Sequence, residues 1–347
     1  INEIRSVLDE AGIAYVTLGG VVPNPRLSKV REGIELCRRE NVDFLLAVGG
    51  GSVIDSCKAI GYGLANPETD VWNFFLRTET PKACLPVGVI LTIAASGSEM
   101  SNSCVITNEE GWLKRSTARN DLCRPRFAIL NPRLTYTLPQ YQTESGCVDI
   151  LMHTMERYFV NSETMEITDS ISESLMQTVI YNARILLNEP GNYNARAEIM
   201  WAGSLSHNGI TGLGAEKDFA VHQLGHQLSA KFDIAHGASL SAVWGAWATY
   251  VYDAKPSRFA QYARRVWNVE EADDVKAAQQ GIQKTVAYFA SLDMPTSFRE
   301  AKEIGSKTDE EVKQMAHGCS YEGTRTIGSF KVCDENDIYE IYKLANK

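Results

Sequence analysis

The chain reads as an α/β domain followed by an all-helical one, on three observations. Its first 140 residues alternate short apolar runs with helical stretches. Its remainder holds long helical windows with no convincing strand. At 347 residues it is long for a single core, so two domains are the better expectation. The boundary is placed between residues 139 and 140, giving a Rossmann-like unit over 1–139 and a helical unit over 140–347.

The opening "INEIRSVLDEAGI" has the pattern of an amphipathic helix, not of a signal peptide. "IAYVTLGG" (13–20), "DFLLAVGG" (43–50), "LPVGVILTI" (85–93) and "RFAIL" (126–130) read as buried strands, being short, apolar and ended by glycine or polar residues. Helices are expected over 25–41 and 52–66, and strand–helix–strand order means a parallel sheet covered by helices. Beyond "LNPRLTYTLP" (130–139), helices are expected over 167–187 and 272–292. The terminal "DENDIYEIYKLANK" has an aspartate to start a helix and lysines in its last turns. "VEEADD" and "TDEE" read as solvated helix starts, and Trp201, Trp244 and Trp247 as core.

Hydrophobic residues make up 44% of the chain, charged residues 22%, and the formal charge is -9. That balance argues against sequence-independent nucleic-acid binding, which needs a basic face. No apolar run approaches the roughly 20 residues needed to span a bilayer. Eight cysteines are scattered without a CxxC pair, the usage of reduced thiols in a cytoplasmic protein.

"LLAVGGGSVIDSCK" (45–58) runs from a strand through three glycines into a helix. Such a turn lets backbone approach a phosphate, with the helix N-terminus offering free N–H groups behind it. Ser52 is a possible cap and Asp55 falls at the third helical position. The dinucleotide fingerprint is imperfect, since counting GxGxxG from Gly49 lands on Ile54. "TIAASGSEMSN" (92–102) leaves a second strand in the same manner, and two such loops at neighbouring strand ends are where open α/β sheets hold nucleotides.

"SGCVDILMHTMERY" (145–158) places Asp149 and His153 one helical turn apart, on a shared face with Cβ atoms about 5–6 Å apart. "VHQLGHQLSAKFDIAHG" (221–237) adds His222, His226 and His236. The HExxH form is absent, as Gln223 stands where its glutamate would be. Four imidazoles and a carboxylate overfill a four-ligand site, so one histidine is spare, and the spacing leaves open which one. His207 and His317 lack ligand-spaced partners and read as ordinary polar residues.

With those residues in view, the sequence resembles the iron-containing (group III) alcohol dehydrogenases, in the branch of NADPH-dependent butanol dehydrogenases and broad-specificity aldehyde reductases. The resemblance runs from "PNPRL" (23–27) through "GGGSVIDSCKAI" (49–60), "LTIAASGSE" (91–99) and "DILMHTMERY" (149–158) to "AVHQLGHQLSAKFDIAHG" (220–237). It implies a dehydroquinate synthase-like fold. It implies that Asp149, His153, His222 and His236 hold the metal, with His226 the unligated histidine that transfers or relays a proton. It implies cofactor contacts at Asn24, Gly50, Gly51, Ser52, Asp55 and Thr92, and at a lysine matching Lys114 or Arg115. The implied cofactor is NADP, with NAD the alternative, and the implied metal Fe(II), with Zn(II) or another divalent ion as alternatives. A primary alcohol or aldehyde such as butanol or butanal is the implied substrate, and relatives suggest a homodimer. Family members carry a further strand and glycine-rich turn ahead of the helix that opens this sequence, and that turn helps choose NAD or NADP. "TIAAS" also departs from a more threonine-rich family loop.

A rival chemistry on the same fold is a dehydroquinate synthase-like lyase. Its phosphate-bearing substrate demands basic residues, of which the two histidine stretches offer only Arg157 and Lys231. A metal-dependent hydrolase lacks a glutamate base beside His222, and a non-enzymatic binding protein is the remaining alternative.

Overall fold

The computed structural model describes residues 1–118, 120–162 and 165–347. In the first part of the chain come α1 (Asn2–Glu10), α2 (Leu27–Arg39), β1 (Leu45–Gly49), α3 (Gly51–Ala65), α4 (Trp72–Leu76), β2 (Val87–Leu91), β3 (Val105–Asn108), β4 (Leu113–Ser116) and β5 (Phe127–Ile129). β1, β2 and β5 form a parallel sheet in that order, with Leu45 opposite Val87 and Gly49 opposite Leu91. Leu45, Ala47, Val87, Val89 and Leu91 are buried, and parallel strands covered by helices read as apolar runs for that reason.

Two features depart from expectation. Segment 13–20 forms no strand ladder, and Ile13, Tyr15 and Val16 are exposed. An apolar run becomes a strand only where a sheet edge accepts its backbone; here Leu18 alone of the run packs on the core. The antiparallel β3–β4 hairpin was not foreseen, because its residues "VITN" and "LKRS" are too polar and short to stand out.

The second part is helical: α5 (Gln140–Tyr158), α6 (Glu166–Asn188), α7 (Tyr193–His207), α8 (Ala220–Phe232), α9 (His236–Val251), α10 (Pro256–Trp267), α11 (Asp274–Ser291), α12 (Asp309–Cys319) and α13 (Glu335–Ala345). Among the described residues its only β pairing is an isolated bridge between Ile327 and Cys333. α5 is buried on every face from Thr143 to Tyr158, which makes it the central helix. Asp273, Thr308 and Asp334 cap α11, α12 and α13, as the acidic runs suggested.

Trp244 and Trp247 are fully buried in α9, but Trp201 is half exposed. The buried face of α7 is carried by Ala195, Ile199, Ala202 and Ser206, and Trp201 points away from it. All eight cysteines are free thiols, and no helix among the described residues is long and apolar enough to cross a membrane.

The two parts meet along polar contacts that frame the site. Asn24 and Arg26 both donate to Asp233, Ser204 donates to Glu99, and His207 Nδ1 lies 2.6 Å from the Ser96 carbonyl.

Candidate metal centre and cofactor cleft

Helical spacing puts Asp149, His153 and Glu156 on one face of α5. His153 Nδ1 lies 2.9 Å from the Asp149 carbonyl and 3.2 Å from its Oδ1. From α8, His222 donates its backbone N–H to Glu156 Oε1 (3.0 Å) and holds Nδ1 against Glu156 Oε2. From the first turn of α9 comes His236. A Cβ on the adjacent Gly237 would stand 1.9 Å from the Ser145 carbonyl, so only glycine lets α9 start this close to α5.

Donor atoms of Asp149, His222 and His236 all lie within 4.8 Å of one another. His222 Nε2 is 3.6 Å and His236 Nε2 3.8 Å from Asp149 Oδ1, and His153 Nε2 is 3.1 Å from His222 Nε2. Asp149 Oδ1 is buried and accepts no hydrogen bond, a costly state for a carboxylate oxygen. With both Nδ1 atoms directed at Glu156 and the Asp149 carbonyl, the two Nε2 atoms face each other beside that oxygen, and a proton on His222 or a shared cation must separate their lone pairs. A shared cation relieves the conflict, so the donor set fits a divalent metal.

The charges agree with that fit. Burial pushes His153, His226 and His236 well below the usual histidine range, so these rings are neutral. Burial also opposes a charge on His222, but Glu156 and Asp149 outweigh it and push it up to about 9 when no cation is present. His226 sits beside the set, its ring centroid 6.1 Å from that of His222 and 5.4 Å from that of His236.

A cleft of about 1000 Å³ runs from Asn24 and the Gly50–Ser52 turn, past Ser96 and Ser98, to Asp149, His153, His222, His226 and His236. Gly51 opens α3 at its floor, where a Cβ would stand 2.3 Å from Ser96 Oγ. Gly50 is the N-cap of α3 and no side chain caps the helix, so Ser52 is not the cap expected of it. The chain enters the helix one residue pair earlier, which leaves Ser52 inside the first turn and facing the cleft. Nor does Asp55 act in a capping box: it accepts from Ser98 Oγ (2.6 Å) and the Val105 N–H (2.9 Å), tying α3 to the second loop.

Asn24, Gly50, Gly51, Ser52, Asp55 and Lys114 all line the cleft. Thr92 does not; its N–H serves the Gly49 carbonyl at 3.1 Å, and its neighbour Ile93 faces the space instead. Strand alternation sends Lys114 and Arg115 to opposite faces of β4. Lys114 points into the cleft and donates to Asn24 Oδ1 at 2.9 Å, while Arg115 leaves the other face and stacks on Tyr321.

Three residues escaped the sequence reading. His207 is not peripheral: it lines the cleft with its ring centroid 4.1 Å from that of His153, a meeting of α5 and α7 that spacing along one helix does not reveal. Glu156 had a readable signal, falling on the Asp149–His153 stripe one turn further on. Lys58, fully buried, donates to the carbonyls of Ser98 (2.7 Å), Ser101 (3.1 Å) and Ser103 (2.8 Å), and so fixes the second loop. His317 is exposed and pairs with Glu335, an ordinary polar residue as expected.

Comparison with known proteins accords with this geometry. Residues 1–132 match the family described as iron-containing alcohol dehydrogenase, and residues 143–346 match the C-terminal region of the same family. NADH-dependent butanol dehydrogenase A of Clostridium acetobutylicum is 37% identical over 99% of this chain and 87% of its own. The NADPH-dependent aldehyde reductase YqhD of Escherichia coli is 35% identical over 92% of this chain and 84% of its own. The crystal structure of NADH-dependent butanol dehydrogenase A from Thermotoga maritima superposes with a TM-score of 0.94 at 34% identity, covering 100% of this chain and 87% of that one. The chain belongs to the iron-containing alcohol dehydrogenase family. Its activity is that of an NAD(P)-dependent alcohol dehydrogenase, which sets aside the lyase alternative.

Proposed function

We propose that Asp149, His153, His222 and His236 hold one divalent cation and that the enzyme interconverts a primary alcohol such as butanol with its aldehyde. The observation that carries this is the unpaired, buried Asp149 Oδ1, ringed by imidazole nitrogens at the inner end of a cleft that begins at a glycine turn. Fe(II) or Zn(II) suits one carboxylate with neutral imidazoles, and such an ion supplies Lewis-acid polarisation of the substrate oxygen.

The chain's own residues do the rest. Glu156 holds Nδ1 of His222 as the donor, which keeps Nε2 free to ligate. His226, neutral and adjacent to the ligands, hands on the proton exchanged with the substrate oxygen. Gly50, Gly51 and Ser52 bring backbone and the N-terminus of α3 to the cofactor phosphates, and Lys114 of β4, bonded to Asn24 of the loop before α2, faces the cofactor. Burial of Asp149, His153 and His222 keeps water from the inner side of the hydride-transfer site.

NADP is the cofactor in this reading and NAD the alternative, which the naming of the Clostridium relative favours. We place the division between the dinucleotide-binding and metal-binding units at 139/140, and we read the enzyme as a cytoplasmic homodimer, which suits its eight free thiols. Metal analysis of anaerobically prepared protein, coupled to butanal reduction followed with NADPH and with NADH, tests the proposal. It fails if protein loaded with Fe(II) or Zn(II) reduces butanal with neither cofactor.

A further inference from the structure

One face of α7 grips the loop 92–102 that follows β2. Ser204 donates to Glu99 Oε1 at 2.6 Å, and His207, one turn further on, bonds the Ser96 carbonyl through Nδ1 at 2.6 Å. A carbonyl oxygen only accepts, so this Nδ1 carries the proton and the tautomer of His207 is set. Glycines let the surfaces come this close. Gly97 has φ +62°, and a Cβ there would stand 2.5 Å from the Gly203 carbonyl and 2.7 Å from His207 Cβ. A Cβ on Gly146 of α5 would stand 2.3 Å from the Ala94 carbonyl, so the loop is seated on α5 as well.

The same imidazole reaches the metal set. Its centroid lies 4.1 Å from that of His153, with 38° between the ring planes, and His153 packs in turn at 4.4 Å from His222. His153 Nδ1 is committed to the Asp149 carbonyl. One hydrogen bond at one nitrogen leaves a ring able to tilt about it, and the face of His207 limits that tilt. On its other side Ser96 borders the glycine turn, since only the missing Cβ of Gly51 admits Ser96 Oγ there. Ser96 and His207 both line the cleft. A single side chain therefore joins the loop beside the glycine turn to a residue of the metal set.

We propose that His207 is a positioning residue: holding Ser96 with Nδ1 and His153 with its ring face, it fixes the spacing between the bound dinucleotide and the metal centre. The inference rests on the metal-dependent dehydrogenase reading above. Hydride transfer needs its reacting atoms about 3–3.5 Å apart, and a misplacement of about 1 Å costs on the order of 100-fold in rate. A link of fixed length between the two halves of the site guards that distance.

Two substitutions separate the two arms of the link. His207→Phe keeps a ring against His153 and loses the donor to Ser96. His207→Asn keeps an N–H close to where Nδ1 stands and loses the ring. The full chain loaded with Fe(II) or Zn(II) is titrated with NADPH and with NADH by fluorescence in the absence of substrate, and metal Kd is read by equilibrium dialysis without cofactor. His207→Phe is expected to weaken cofactor binding about tenfold and to lower kcat for butanal at full metal occupancy, because the Ser96 carbonyl loses its donor. His207→Asn is expected to bind cofactor as the wild type does and to weaken metal binding about fivefold, as loss of a ring contact implies. Either variant within about twofold of the wild type in the property assigned to it overturns the proposal. An equal loss of metal and cofactor affinity in both variants also overturns it, being what a residue that serves only the fold would give. Wild-type protein that binds neither metal nor NAD(P)H sinks the functional reading and this inference together, whereas wild type that binds both while the variants fail to separate sinks the inference alone.

Discussion

Replacing Glu156 by glutamine isolates the link between a buried carboxylate and metal affinity. Glu156 is completely buried and accepts twice from His222, from the backbone N–H at 3.0 Å and from Nδ1. Glutamine keeps the shape but offers one oxygen and one NH2 group. If its oxygen serves the ring, the NH2 opposes the backbone N–H; if it serves the backbone, the NH2 opposes Nδ1–H. The ring then gains by moving its proton to Nε2, the atom that faces Asp149 and His153. Outer partners of this kind are typically worth 10- to 100-fold in metal affinity, or about 1.4–2.7 kcal/mol. One opposed buried donor adds about 1–3 kcal/mol of lost fold stability. The assay is metal content after equilibrium dialysis against buffered Fe(II) or Zn(II), with thermal melting of the metal-free protein alongside. A metal Kd within about twofold of the wild type would refute the reasoning, since geometry and charge at His222 both require a loss.

Further outcomes follow from the same geometry. Asp149→Ala and His236→Ala are expected to lose both bound metal and turnover, whereas His226→Ala keeps the metal and loses rate; elemental analysis beside kcat reads this, and the reverse pattern exchanges the two histidines' roles. Gly51→Ala brings a methyl within 2.3 Å of Ser96 Oγ and is expected to raise KM for NAD(P)H at least about tenfold with metal content unchanged. Burial lowers Lys114 to about 8 from its usual 10.5, so its charge is present below about pH 8 and lost above it. KM for the cofactor therefore rises through that pH, while Tm of the metal-free protein gains between pH 8 and 10.5 as the buried charge is relieved. Lys114→Met is expected to abolish both trends in KM and Tm profiles.

Local pattern carried much of this architecture. The strands at 45–49, 87–91 and 127–129 and the helices after residue 140 are legible because apolar period and glycine punctuation act over a few residues. The Asp149–His153 pair was legible because helix geometry fixes it. Segment 13–20 misled because its composition says nothing of whether a sheet edge is available to it. Ser52 misled because capping depends on where the backbone turns, two residues before the serine. His207 was invisible for another reason: its contact with His153 exists only once α7 crosses α5, with His207 sequestered at the Ser96 carbonyl. Trp201 shows the same limit, since one apolar side chain does not decide which face of a helix is covered.

The central claim is tested most directly by anomalous diffraction at the metal edge from crystals of metal-loaded protein. The result expected is a single peak among Asp149 Oδ1, His153 Nε2, His222 Nε2 and His236 Nε2, with His226 outside bonding distance. A peak elsewhere, or none in protein that still turns over butanal at full rate, contradicts it.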